Sequence, residues 1–219
     1  MGLHNQSKTP GRTTLLEAVN ICLTNIGEQP VSNLDNEQVQ DARIAEATLL
    51  EVHKENQSKG WTWNTEKDFP FEKDIATNEI VLPSNVVSWA PNEYEWAGRL
   101  TLRGQRVYDR ETRSYQFDET ITEVRADVVW LLPWTDTPEV YNRWATIRGA
   151  RIFSDRVLAS DSIFKYTVRD EQDALAQLLM VENDEAKPNI LTGGFHPFST
   201  YRPGMGLIGR QFGGGLRLG

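Results

Sequence analysis

The chain has 219 residues, 39% hydrophobic and 25% charged, with a formal net charge of −8. That balance excludes a disordered chain, no apolar run approaches the roughly 18 residues of a membrane span, and the acid excess removes the electrostatic drive to hold nucleic acid tightly. A single cysteine, Cys22, excludes an intrachain disulfide and makes a thiolate metal site unfavoured, while the start MGLHNQSKTPGR lacks the apolar core of a signal peptide, so the expectation is a protein made in a reducing cytoplasm and released, if at all, by lysis.

Residues 1–12 read as an arm broken by Pro10 and Gly11. In TLLEAVNICLTNIGEQP, Thr14 and Glu17 have capping-box spacing, so the hydroxyl accepts from a free helix N–H and the carboxylate reaches back. Leu15, Val19, Cys22 and Ile26 then share one helical face. Gly27 suits a left-handed C-cap, and Pro30 prevents continuation. A second helix is expected from Asp35 or Asn36 to about Lys59, with Val39, Ala42, Leu49 and Val52 inward and Gly60 ending it. Trp61 and Trp63 follow at once; they share a face only if the chain is already a strand, where the period is two.

Between 61 and 136 the helical period disappears. β-prone runs alternate with turn formers: NEIVLP, NVVSW, RLTLRGQRVYD, SYQF and TEVRADVVWLLPW. Arg103-Gly104-Gln105 reads as a hairpin turn. A third helix opens at Thr137-Pro138-Glu139, with a capping hydroxyl, a proline at the first helical position and an acid in the first turn. Its face runs through Val140, Trp144, Ile147, Arg151 and Leu158. A fourth helix is expected from a cap at Asp161 or Ser162, through Phe164, Val168, Leu175, Leu178 and Leu179, to about Lys187. Residues 188–219 are glycine-rich and free of acids, with Arg202, Arg210 and Arg217 and spaced aromatics, a composition that does not bury itself and gains order against a neighbouring chain.

The expected fold class is α+β: an antiparallel helical bundle of about four helices (13–60 and 137–187), interrupted by a small antiparallel β-rich insertion (61–136), with an extended N-terminal arm (1–12) and an extended C-terminal tail (188–219).

Few residues invite chemistry. His4, His53 and His196 are far apart and lack metal spacing, and Cys22 lies on an apolar helix face without a cationic neighbour. Gly204-Met-Gly-Leu-Ile-Gly209 matches a dinucleotide fingerprint as a string, but it follows no strand and opens no helix. No cofactor, metal or catalytic residue is assigned. The sharpest enzyme hypothesis is a glycosidase or glycan binder, in which Trp61, Trp63, Trp89, Trp96 and Trp130 stack on sugars and two of Glu93, Glu95, Asp109, Asp118 and Glu119 act as acid and base. Against it, 31 acids and seven tryptophans bring some neighbours together by chance, and core packing accounts for the indoles more simply. Arg99, Arg103, Arg106, Arg110 and Arg113 form a basic run that Asp109 and Glu111 dilute, which favours a solvated face or a subunit contact over nucleic acid.

Four segments in order carry a resemblance: NICLTNIGEQPVSNLD (20–35), SKGWTWN (58–64), VYDRETRSYQFD (107–118) and PEVYNRWATIRGARIFSDR (138–156). Together they resemble the tail tubular protein A family, the head-to-tail adaptors of short-tailed, podovirus-type phages. The resemblance implies a helical bundle with a β-rich insertion, and a non-enzymatic virion protein. It further implies a dodecameric ring below the portal protein that continues the DNA channel without specific DNA binding, receives the nozzle (tail tubular protein B) and helps seat the tail fibres. It also implies a C-terminal segment reaching the portal, for which Phe195, Phe198, Tyr201, Arg202, Leu207, Arg210 and Phe212 are the candidate anchors. Gly60, Trp61 and Trp63 are then expected at a structural junction, with at least one indole buried.

Overall fold

A computed structural model describes residues 11–35, 39–92, 96, 98–158 and 166–186. The fold is α+β. Among the described residues there are four α-helices: α1 (Leu15–Asn25), α2 (Gln40–Gln57), α3 (Glu139–Leu158) and α4 (Val168–Ala186). Five strands lie between α2 and α3: β1 (Thr65–Glu72), β2 (Val86–Pro91), β3 (Leu100–Arg103), β4 (Arg106–Asp109) and β5 (Glu123–Trp130). The described residues divide into two compact units, one drawn from residues 11–53 and 133–181 and the other from 54–132 and 182–186.

In the first unit, α1 starts as its sequence dictates. The Thr14 hydroxyl accepts from the Glu17 N–H at 3.1 Å and the Glu17 carboxylate accepts from the Thr14 N–H at 2.8 Å. Gly27 follows the last turn at φ 88°, the left-handed conformation that suits glycine there. Helix α1 packs along α3, with Val19, Cys22 and Leu23 buried. The buried Asn25 amide donates to Ser154 Oγ at 2.6 Å. Thr13 donates its N–H and hydroxyl to Glu139, and Trp134 Nε1 donates to the Thr13 carbonyl, so the segment before α1 is tied to the entry of α3. A Cβ added at Gly149 of α3 would meet Leu49 Cδ2 of α2 at 2.5 Å, so glycine permits that close approach. The Tyr141 hydroxyl donates to the His53 carbonyl at 3.0 Å, and both residues are buried.

Two helix expectations need correction. Helix α2 begins at Gln40, with Asp35 outside it, and ends at Gln57 rather than Lys59. Helix α4 begins at Val168; Thr167 and Asp170 exchange N–H bonds at 2.7 and 3.3 Å, a capping pair with aspartate at the third position. The expected caps Asp161 and Ser162, and Phe164, lie outside the described residues. The apolar residues of α4 divide between its two sides. Ala174 and Leu178 are buried, whereas Val168 is 56% and Leu179 40% exposed. Glu171 lies on the inner side and accepts from Arg148 and Arg151 of α3, each at 2.7 Å, so an acid takes a place there that an apolar residue would otherwise fill.

In the second unit, β5 is the middle strand of an antiparallel sheet ordered β1-β5-β2. Its alternate residues Val124, Ala126 and Val128 are wholly buried. Strand β1, TEKDFPFE, was not anticipated, because charges and Pro70 argue against a strand; as an edge strand it tolerates both. A bulge lies between Glu66 and Phe69, where Asp68 takes φ 56° and accepts from Arg125 at 2.9 Å. The hairpin β3–β4 forms at the anticipated place, with Gly104 at φ 65°. NEIVLP and SYQF yield isolated bridges, Val81 to Arg106 and Glu79 to Gln116, rather than full strands. One core joins Phe71, Ile80, Trp89, Trp96, Val107 and Val128.

Candidate functional site

The Gly60–Asn64 segment follows the last turn of α2. Gly60 closes that helix at φ 76°, its N–H bonded to the Gln57 carbonyl at 3.1 Å; a Cβ there would sit 3.2 Å from Val129 Cγ2. The next residues are not a strand, the condition under which Trp61 and Trp63 would share a face. Thr62–Asn64 is a single 3₁₀ turn, and β1 starts only at Thr65. The turn wins because Asn64 completes it: its Oδ1 accepts from the Trp61 N–H at 2.7 Å, and its Nδ2 donates to the carbonyls of Gln57 and Trp130 at 3.0 and 2.8 Å. The two indoles therefore do not share a strand face. Trp61 is buried and donates through Nε1 to the Asn56 carbonyl at 2.9 Å, while Trp63 is half-buried. Gln57 is wholly buried and fixes Leu132 through both ends of its amide, at 2.9 and 2.8 Å. Asn56, Gln57 and Asn64 are thus central to this region, and sequence reasoning missed them; the only signal was a cluster of amides beside a helix end.

The glycoside hypothesis can be tested on its described members. Trp89 and Trp96 belong to the core at 9% and 5% exposure and Trp61 is buried, so these rings offer no face to a sugar. Asp109 is buried against Arg99, whose Nη2 lies 2.7 Å away. The bonds from Arg99 lead the causes that hold its carboxyl down to about 2, against the opposing effect of burial. Asp118 is also lowered, chiefly by the Thr120 N–H. A glycosidase acid needs a raised value, so neither supplies one. Glu119 is exposed, and Glu93 and Glu95 lie outside the described residues. Cys22 is buried, and burial pushes its thiol up to about 12, the opposite of a nucleophile. No cluster of metal-ligating side chains occurs among the described residues, and no described helix is long and apolar enough to cross a membrane.

An open cavity of about 640 Å³ in the first unit is lined by Thr13, Glu17, Asn20, Ile21, Thr24 and Glu139, among others. Its two glutamates are already engaged, Glu17 with Thr14 and Glu139 with Thr13. The basic run divides in the same way: Arg99 is held by Asp109 and Glu111, and Arg106 by Glu79, whereas Arg103 and Arg106 also lie over the rings of Tyr108 and Tyr115. His53 is buried beside Trp134 and Tyr141, with ring centres 5.2 and 5.7 Å away. His4, His196 and the tail residues Phe195, Phe198, Tyr201, Arg202, Leu207, Arg210 and Phe212 lie outside the described residues.

Around the Gly60–Asn64 turn, the buried amides of Gln57 and Asn64 are spent on tying backbone segments together. The model of the tail tubular protein family matches residues 16–188, and the chain belongs to that family. It is accordingly a structural component of a phage tail, part of a multi-subunit assembly in the virion. A search of curated proteins finds no match.

Proposed function

We propose that the chain is the head-to-tail adaptor of a short-tailed phage, a dodecameric ring seated between the portal and the tail nozzle. The observation that carries this reading is the ordered set of four segments between residues 20 and 156, all inside the stretch that matches the tail tubular family. Within it the helices form an antiparallel bundle (13–60 and 137–187) that carries the β-rich part (61–136), with residues 1–12 as an arm. Gly60, Trp61 and Trp63 mark the structural junction of the bundle with its insertion. The ring continues the DNA ejection channel. A net charge of −8 per copy disfavours retention of DNA, which then slides through. The nozzle protein, tail tubular protein B, docks beneath, and the tail fibres gather at the ring.

Residues 188–219 reach the portal in this reading. Phe195, Phe198, Tyr201, Leu207 and Phe212 are the apolar anchors, and Arg202 and Arg210 are the cations. A basic segment dotted with aromatics and rich in glycine suits threading into a groove and ordering there. Electron micrographs of the purified protein, alone and mixed with portal, test the ring. Deleting residues 193–219 is expected to leave the far-ultraviolet spectrum of the helices intact and to abolish docking on the portal; undiminished docking by the truncated chain removes the tail from the role.

A further inference from the structure

The hairpin turn reads Arg103-Gly104-Gln105-Arg106, and its register sets Arg103 directly opposite Arg106. Like charges so placed repel. The hairpin nevertheless holds both over aromatic rings: the Arg103 guanidinium carbon lies 3.5 Å from the centre of the Tyr108 ring and that of Arg106 4.1 Å from the centre of Tyr115, and the rings meet edge-on at 5.0 Å. Arg106 also reaches Glu79 at 3.1 Å, whereas Arg103 forms no ion pair among the described residues. Val81 bridges to Arg106, so it shares this face, and it is 51% exposed. An exposed apolar residue beside pre-oriented guanidinium forks suits a carboxylate-bearing, partly apolar surface. It suits nucleic acid less, because a guanidinium already takes one face of each tyrosine and the chain carries a net charge of −8.

Helix α4 carries the complement. With Glu171, Ala174 and Leu178 turned inward, Asp173, Gln177, Met180 and Asp184 fall at i, i+4, i+7 and i+11, one outward stripe of exposed residues. Met180 is 67% exposed and its neighbour Leu179 40%, and the two aspartates stand on either side, about 16 Å apart along the axis. The helix holds Asp170, Glu171, Asp173, Glu182, Asp184 and Glu185 against Arg169 alone. We propose that the β3–β4 hairpin of one copy docks on the outward stripe of α4 of a second copy, with Arg103 meeting Asp173 or Asp184 and Val81 covering Met180. Copies that each carry −8 repel at long range, so a contact between them needs locally opposite patches, and this pair supplies them. Two different patches make a heterologous contact, the kind that builds a ring where its rotation closes; the inference thus deepens the adaptor reading and rests on it for the ring.

The test uses full-length protein, weighed by sedimentation and mass photometry across a salt series. Arg103→Glu and the pair Asp173→Lys/Asp184→Lys are each expected to weaken self-association at least about tenfold, with circular dichroism and melting temperature unchanged. An equimolar mixture of the two variants is expected to regain it, since each altered patch then finds an opposite one, and so is the triple variant Arg103→Glu/Asp173→Lys/Asp184→Lys. Variants that associate as wild type, a mixture that stays apart, or a wild-type chain that is monomeric at every concentration and salt would overturn the contact. Rings formed on the portal by every variant refute this interface and leave the adaptor reading standing; absence of rings from wild type on the portal refutes the adaptor reading itself.

Discussion

Two polar regions of the β-containing unit solve opposite problems. At the Gly60–Asn64 turn, Asn56, Gln57 and Asn64 are at most 1% exposed; the Gln57 and Asn64 amides bond backbone groups, and the Asn56 carbonyl accepts from the Trp61 indole. At the β3–β4 hairpin, Arg103 and Arg106 stand in solvent over tyrosine rings. Buried polar groups must be satisfied within the chain, because each bond left unmade costs the full desolvation of its partner. Exposed ones carry no such obligation, and their unspent capacity is available to a partner. Inward closure therefore marks structure, and outward preorganisation marks contact.

The largest effect should come from breaking the closed region. Asn64→Ala removes three hydrogen bonds and, with them, one donor to each of the carbonyls of Gln57 and Trp130. About 3 kcal/mol of stability should be lost, read as a lower denaturant midpoint. Asn64→Asp should do no better, since a carboxylate accepts but cannot donate to those two carbonyls. A loss below about 1 kcal/mol would mean that water replaces the amide and that the turn is not closed.

How much of this was legible beforehand follows from the same physics. Helix α1, the opening of α3 and the hairpin turn are encoded by residues within a few positions of one another: Thr14 with Glu17, Pro138 before Glu139, Gly104 between two strands. The amide turn is not, because Asn64 and Gln57 bind backbone atoms 66 and 75 residues away. Strand β1 was hidden because an edge position permits charges and Pro70. The inward place of Glu171 on α4 is not legible because its partners, Arg148 and Arg151, lie on another helix. The arginine run was visible as a string, but its division into paired Arg99 and outward Arg103 depends on register.

Asp109 lies between the two regimes, a buried acid inside the hairpin itself. Its carboxylate accepts from Arg99 and from the Glu111 N–H, and its folded value is lowered from 3.8 to about 2. A lowered value means that the charged form stabilises the fold. The contribution, about 2 kcal/mol, is complete above about pH 5 and is lost progressively as the pH falls towards about 1. Asp109→Asn should lower stability at neutral pH by a comparable amount and flatten that stretch of the acid limb, in denaturant titrations between pH 2 and 5. An unchanged slope would place Asp109 with the outward groups.

The smallest effect should come from Arg103→Gln, and its smallness sharpens the contrast most. The substitution removes a cation over the Tyr108 ring, worth about 0.5–1 kcal/mol at an exposed site. It also relieves the repulsion from Arg106 across the strands, worth a few tenths of a kcal/mol or somewhat more. The two nearly cancel, so the denaturant midpoint should move by no more than about 0.5 kcal/mol in either direction. Self-association should still weaken, because the removed charge faces outward and serves the second copy rather than the fold. Should Arg103→Gln instead destabilise the chain by more than about 1.5 kcal/mol, the hairpin would be as closed as the amide turn, and its arginines would have no charge left over for a neighbour.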